Sequence, residues 1–221
     1  KVDSFLFERA YEIIDDQLHN DVPKLLNLSN DTFLLTYDKW NYLPDPGHEI
    51  YGQIFDYNGS KIGEEFNINS VSLGDQNYLS IAELSNGNLI ATWNSLINDS
   101  DVYTSGVYMQ IFSNSGVPLS NETKLPTEVT DPNITINYGL TTALSDGNYV
   151  ITWGEGGTRY AQIFDESGTP ADDKFAIEAS TDYLEAAIIA LPNNGFAVVG
   201  HIGSWPEYEA VLRIFSNEGV A

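Results

Sequence analysis

Four aspartates recur at a similar phase of the chain, Asp16, Asp75, Asp131 and Asp182, at intervals of 59, 56 and 51 residues. Carboxylates gathered in one plane make a site for a hard cation such as Ca²⁺, which takes roughly six to eight oxygen ligands and fills its shell with carbonyls and water. The same residues also read as loop aspartates bonding their own backbone. A second acidic stretch, Asn98-Asp99-Ser100-Asp101, alternates oxygen-bearing side chains as a calcium loop does. It has no Gly where such a loop turns and no Glu to close it.

Aromatic rings accompany these acids. Trp40, Tyr42, Tyr103, Trp205 and Tyr208 fall in the same connections as Asp99 and Asp101, and flat rings stack on sugars, so this set forms the ligand-binding candidates. Trp93 and Trp153 recur in register at a strand end and are expected to pack between neighbouring units, whereas Trp40 and Trp205 lie beside Pro44 and Pro206 in expected loops. Catalysis finds less to work with. His19, His48 and His201 occupy unrelated positions in their units, and no Ser, His and acid set can be placed. Two facing carboxylates hydrolyse glycosidic bonds elsewhere, but 32 acids single out no pair. Gly154-Glu155-Gly156-Gly157 follows a strand without opening a helix, so it reads as a loop and not a phosphate cradle.

The elements that must position these residues come from an internal repeat. Gln53-Ile54-Phe55, Gln110-Ile111-Phe112, Gln162-Ile163-Phe164 and Arg213-Ile214-Phe215 recur at steps of 57, 52 and 51 residues, a period that defines a repeat architecture. Each triplet runs into a turn with Gly, at Gly59, Gly116, Gly168 and Gly219, where positive φ closes a tight connection. Ahead of each triplet two apolar runs flank a turn, Asn30-Asp31, Asn86-Gly87, Asp146-Gly147 and Asn194-Gly195, the signature of a β-hairpin. A more polar strand follows the Gly turn, as in Lys61 to Ile68 and Asp173 to Ile177. Four antiparallel strands in about 50 residues is the size of a propeller blade. The opening stretch Lys1 to Phe7 resembles Lys61 to Ile68 with one deletion and is expected to complete the last blade, covering an edge that would otherwise be sticky; the alternative is an open repeat segment.

Composition narrows the function classes. Nine Lys and Arg against 32 Asp and Glu give a formal charge of -23, which excludes nucleic acid, whose phosphates need basic partners. No apolar run is long enough for a membrane helix, and no Cys is present for disulfides or thiolate metal sites. A chain that begins at Lys1 without a leader pattern is expected to be a processed or excised piece.

The stretch Gly106-Val107-Tyr108-Met109-Gln110-Ile111-Phe112, then Gly116, then Ser145-Asp146-Gly147-Asn148-Tyr149-Val150-Ile151-Thr152-Trp153 resembles a repeat of large exported bacterial proteins, among them adhesins and proteins with hemolysin-type calcium-binding nonapeptides. The resemblance spans nearly the whole chain and implies secretion, surface attachment and calcium-rich surroundings; the nonapeptides themselves are missing. The expectations are therefore an all-β, four-bladed propeller with blades at 20–72, 73–132, 133–181 and 182–221 plus 1–19. Its expected function is that of a non-catalytic, extracellular or cell-surface binding or adhesion module for a protein or glycan partner, with Ca²⁺ as candidate cation. A structural spacer and a glycan-active enzyme are the competing readings.

Overall fold

The structure is a computed structural model and describes residues 20–41, 47–71, 73–99, 102–126, 136–178, 184–202, 207 and 209–216. No helix occurs among them; the chain is all β, as its hairpin signals predict. The first blade holds β1 (Asn20–Leu28), β2 (Thr32–Asn41), β3 (Gly47–Asp56) and β4 (Lys61–Asn67). The second holds β5 (Asp75–Glu83), β6 (Leu89–Asp99), β7 (Val102–Phe112) and β8 (Thr123–Lys124). The third holds β9 (Ile136–Ala143), β10 (Tyr149–Glu155), β11 (Thr158–Phe164) and β12 (Phe175–Glu178), and the fourth β13 (Leu184–Ala190), β14 (Phe196–Ile202) and β15 (Glu209–Phe215). Each sheet runs in sequence order with antiparallel neighbours. The segment expected to complete the fourth sheet lies outside the described residues.

Alternation along these strands builds the molecule. In β10 all seven residues are buried, because odd positions face one neighbouring blade and even positions the other. Trp93 packs with Leu28, Leu34 and Ile50 of the first blade, and Trp153 with Ile90, Val107 and Met109 of the second. The two indoles thus fill blade interfaces, as their register predicts. A third core joins Val150 and Ile163 to Phe196, Val198 and Phe215. The innermost strands of all four blades line one cavity of about 520 Å³, through Leu26, Ile81, Glu83, Leu140 and Ile188 among others. Glu83 also ties two blades, accepting hydrogen bonds from the Ser29 amide and hydroxyl at 2.9 and 2.7 Å.

The repeated Gln has a structural use. The buried amides of Gln53, Gln110 and Gln162 donate to the carbonyls of Ile62, Ser120 and Asp172 at 3.2, 2.8 and 2.9 Å, fastening the third strand to the outer connection. The next turn is closed by a side-chain acceptor: Asp165 takes the Ser167 hydroxyl at 2.6 Å and the Ser167 and Thr169 amides at 2.9 and 3.0 Å. Its carboxyl titrates below the ordinary 3.8, first because of the Ser167 hydroxyl and then because of these amides. Folding thus favours the ionised form, and that contribution is complete above pH 3.8 and lost as pH falls through the lowered folded-state value. In thermal unfolding, Asp165→Ala is expected to melt below the parent protein near about pH 7, with the gap narrowing once pH drops under the ordinary carboxylate range. A gap that stays constant into acid would show that the turn draws nothing from the charge.

Candidate active site

Antiparallel pairing brings the starts of the first and third strands of a blade to the same end as the finish of the second and fourth. Asn20 pairs Lys39, Asn41 pairs Gly47, and Tyr51 pairs Asn67. That end, the loop face, carries the longer connections, and the tight Gly turns close the opposite end. At this end the second strands carry a polar residue at one shared position of the repeat in three blades, Asp38, Asn94 and His201, with Gly154 in the third. They stand across from Ile50, Val107, Ala210 and Arg159 in the pairing registers. Polar side chains at this position thus come from three blades, and in the first two they stand two residues beyond the buried Thr36 and Thr92.

Between the first two blades the residues of this end form a compact cluster. The Asp38 carboxylate lies 3.4 Å from His48 Nδ1. The Trp40 ring stands edge-on to the same imidazole, centroids 4.9 Å apart, since Trp40 and His48 are direct cross-strand partners. From the second blade, Asp75 Oδ1 accepts the His48 amide at 3.2 Å. The approach depends on glycine: a Cβ on Gly47 would stand 2.1 Å from the Gly74 carbonyl oxygen, so any larger residue would push the two blade ends apart. One carboxylate thus faces the His48 imidazole and a second, from the next blade, holds the His48 backbone amide, and the adjoining indole offers a flat apolar surface.

Other acids of this end are committed to the blades. In the first blade Lys39 reaches Glu65 at 2.8 Å and lies 4.4 Å from the Tyr51 ring centre. Burial works against ionisation of Glu65, and hydrogen bonds from Lys39 and Tyr37 outweigh it, leaving its carboxyl below the usual range. The third blade inverts the polarity. Glu155, at the position of Lys39, takes Lys174 at 2.9 Å and the Trp153 indole N–H at 3.3 Å, while Lys174 sits 4.5 Å from the Tyr160 ring centre. These pairs tie second strand to outer strand.

Of the residues singled out in the sequence, Asp75 and Trp40 are brought together, on His48. Trp40 stands on β2 and not in a loop, because the β2–β3 hairpin continues past Tyr37 to Asn41. Asp99 and Tyr103 are at or one residue in from the closing pair of the β6–β7 hairpin, within paired strands. Asp16, Tyr42, Asp101, Asp131, Asp182, Trp205 and Tyr208 lie outside the described residues. Among the described residues no three His, Asp or Glu side chains gather as a metal site; the other three members of the expected Asp ring are not among them. One participant escapes the sequence reading: His48 is out of phase with the repeat. Tyr78 sits at a bulge between Asn77 and Ser80 on the innermost strand, at φ 55° and 51% exposed, a conformation costly for a bulky residue. Bulges of this kind re-aim side chains beside active sites. The shared Asn-Tyr of Asn77-Tyr78 and Asn137-Tyr138 is the available signal.

No protein-family model matches the chain, the hemolysin-type repeats included, and no curated protein matches it. Solved structures do. An α-L-arabinanase of Penicillium chrysogenum complexed with arabinobiose is 12% identical over 92% of this chain and 59% of its own, with a TM-score of 0.62. A sialidase of Streptococcus pneumoniae is 12% identical over 92% of this chain and 50% of its own, at 0.64. An endo-arabinase of Bacteroides thetaiotaomicron is 10% identical over 90% of this chain and 76% of its own, at 0.55. The chain thus spans between half and three fifths of the length of the first two. The propeller part of the expected resemblance holds. The expectation of a non-catalytic adhesion module is corrected, because the scaffold is shared with enzymes that act on glycans.

Proposed function

We propose that this protein is a glycan-active enzyme of the glycoside-cleaving kind, working on the loop face. The observation that carries the reading is the convergence of Asp38 and Asp75, from two blades, on the one residue His48 beside Trp40; the fold shared with arabinanases and a sialidase supplies the substrate class. Glycosidic hydrolysis needs one carboxyl group to protonate the departing oxygen and a second to activate water or to attack the anomeric carbon. Asp38, in contact with the imidazole, is suited to exchange a proton with the leaving group. Asp75, oriented by the His48 amide, is suited to the opposite role. The C–O bond to the departing sugar breaks, water adds to the anomeric carbon, and the proton lost by water restores the acid. Trp40 and Tyr78, with the ligand candidates Tyr42, Asp99, Asp101, Tyr103, Trp205 and Tyr208 read from the sequence, would bear on the sugar rings and hydroxyls. Incubation with polysaccharides and aryl glycosides, followed by reducing-end and chromogenic assays, is expected to show turnover. A folded protein inactive across neutral and acidic glycans alike would sink this reading.

A further inference from the structure

Every innermost strand slips its pairing a short way in from the loop-face end. The extra residue falls between Asp21 and Lys24 in β1, between Asn77 and Ser80 in β5, between Asn137 and Leu140 in β9 and between Glu185 and Ala187 in β13. A bulge leaves backbone groups outside the ladder, and a buried carbonyl needs a donor. At the boundary of the second and third blades the repeat supplies one, since the Thr92 hydroxyl donates to the Gly139 carbonyl at 3.2 Å. A Cβ at position 139 would stand 2.4 Å from Val107 Cγ1, so glycine lets that short side chain reach. At the boundary of the first and second blades the same two places belong to Thr36 and Leu79. There the Thr36 hydroxyl finds no partner among the described residues. Lys24, the cross-strand neighbour of Thr36, donates its ammonium to the Leu79 carbonyl instead.

This departure from the repeat has a neighbour that explains it. Tyr78 precedes Leu79 in the bulge, at φ 55° and 51% exposed, and a bulky residue keeps that conformation only where its surroundings over-determine it. A charged donor from the adjoining blade, fixed on the next carbonyl, is such a constraint. We propose that Lys24 is a positioning residue of the glycan site: it locks the bulge so that the half-exposed Tyr78 ring lies against the apolar face of a sugar unit. This assignment rests on the glycan-active reading above and deepens it. Tyr78 stands three residues from Asp75 on β5, roughly 10 Å along the strand. Leu26 and Ser80, two residues beyond Lys24 and Tyr78, line the central cavity.

Calorimetric titration of the intact chain with arabino-, xylo- and gluco-oligosaccharides and with sialyllactose tests the assignment, together with turnover of whichever probe is cleaved. Tyr78→Asn, which tolerates positive φ better than Tyr, is expected to bind at least about fivefold more weakly with kcat within about threefold of the parent. Lys24→Met should fold and show the same split, and Lys24→Arg, which still donates, should return affinity to within about threefold. The double variant Lys24→Met/Tyr78→Asn should bind no more weakly than Tyr78→Asn alone, because both changes act through one ring. A smaller loss in either single variant, an Arg that does not rescue, or a double variant whose losses multiply overturns the assignment and leaves the glycan reading standing. A Lys24→Met chain that does not fold overturns it too, by making Lys24 a residue of the fold and not of the site. A parent chain that binds and cleaves none of the probes overturns both.

Discussion

Replacing Ile111 with Asn is expected to cost about 4 kcal/mol of stability, and the same change at Ile214 less than about 1 kcal/mol. The two residues are the same position of the repeat, each following Gln110 or Arg213, and each stands opposite the second strand, on Ile90 and Ala197. Their surroundings differ. Ile54, Ile111 and Ile163 are 4%, 5% and 4% exposed, whereas Ile214 is 55% exposed, with Leu212 beside it at 64% and Ile189 at 58%. In the first three blades this face is covered by the next blade, so an amide there loses both the apolar contact and its water. On the fourth blade the amide keeps its water. For a chain of this size about 4 kcal/mol corresponds to roughly 8–16 °C in Tm. Thermal unfolding of both variants measures the contrast. Equal losses would show that the fourth blade's face is covered in solution, either by another part of the chain or by another copy.

The blades are legible in the sequence because their causes are local and repeated. Gln-Ile-Phe marks a buried amide and an interface residue in each of three copies, and Asn86-Gly87 and Asp146-Gly147 place hairpins whose Gly87 and Gly147 do adopt φ of 82° and 96°. Trp93 and Trp153 fall in register because blade interfaces repeat. The candidate site does not repeat. It is assembled between two unlike units, where Gly47 and Gly74 let the backbones meet, so His48 has no counterpart in phase and a search for repeats passes over it with the other histidines. Asp38 carries a usable signal, since Thr36-Tyr37-Asp38 aligns with Thr92-Trp93-Asn94. The enzyme reading is hidden for a different reason: among 32 acids composition cannot separate a pair that meets one residue, His48, from acids such as Glu65 and Glu155 that bind lysines. Only three-dimensional pairing sorts them.

That sorting yields the sharpest expectation for the reaction. Asp38→Asn and Asp75→Asn should each lower kcat by at least about 100-fold with KM changed far less, since an amide keeps the shape and the acceptor oxygen but can neither give up nor hold the proton. In the Asp75→Asn variant the side-chain carbonyl oxygen could still take the His48 amide, so the fold should survive, which circular dichroism and Tm would verify. Glu65→Gln is the informative control. That carboxylate is exposed on the outer strand of the first blade and bound to Lys39 and Tyr37, and its loss should weaken stability while leaving turnover as it was. In the pH profile of kcat, each Asn variant should lose one limb of a bell, the acidic limb for the group that must be ionised and the basic limb for the group that must be protonated. If both variants keep activity within about threefold of the parent, the proton-transferring groups are not at His48. Asp101, Asp131 and Asp182, singled out in the sequence, would then be the acids to replace next.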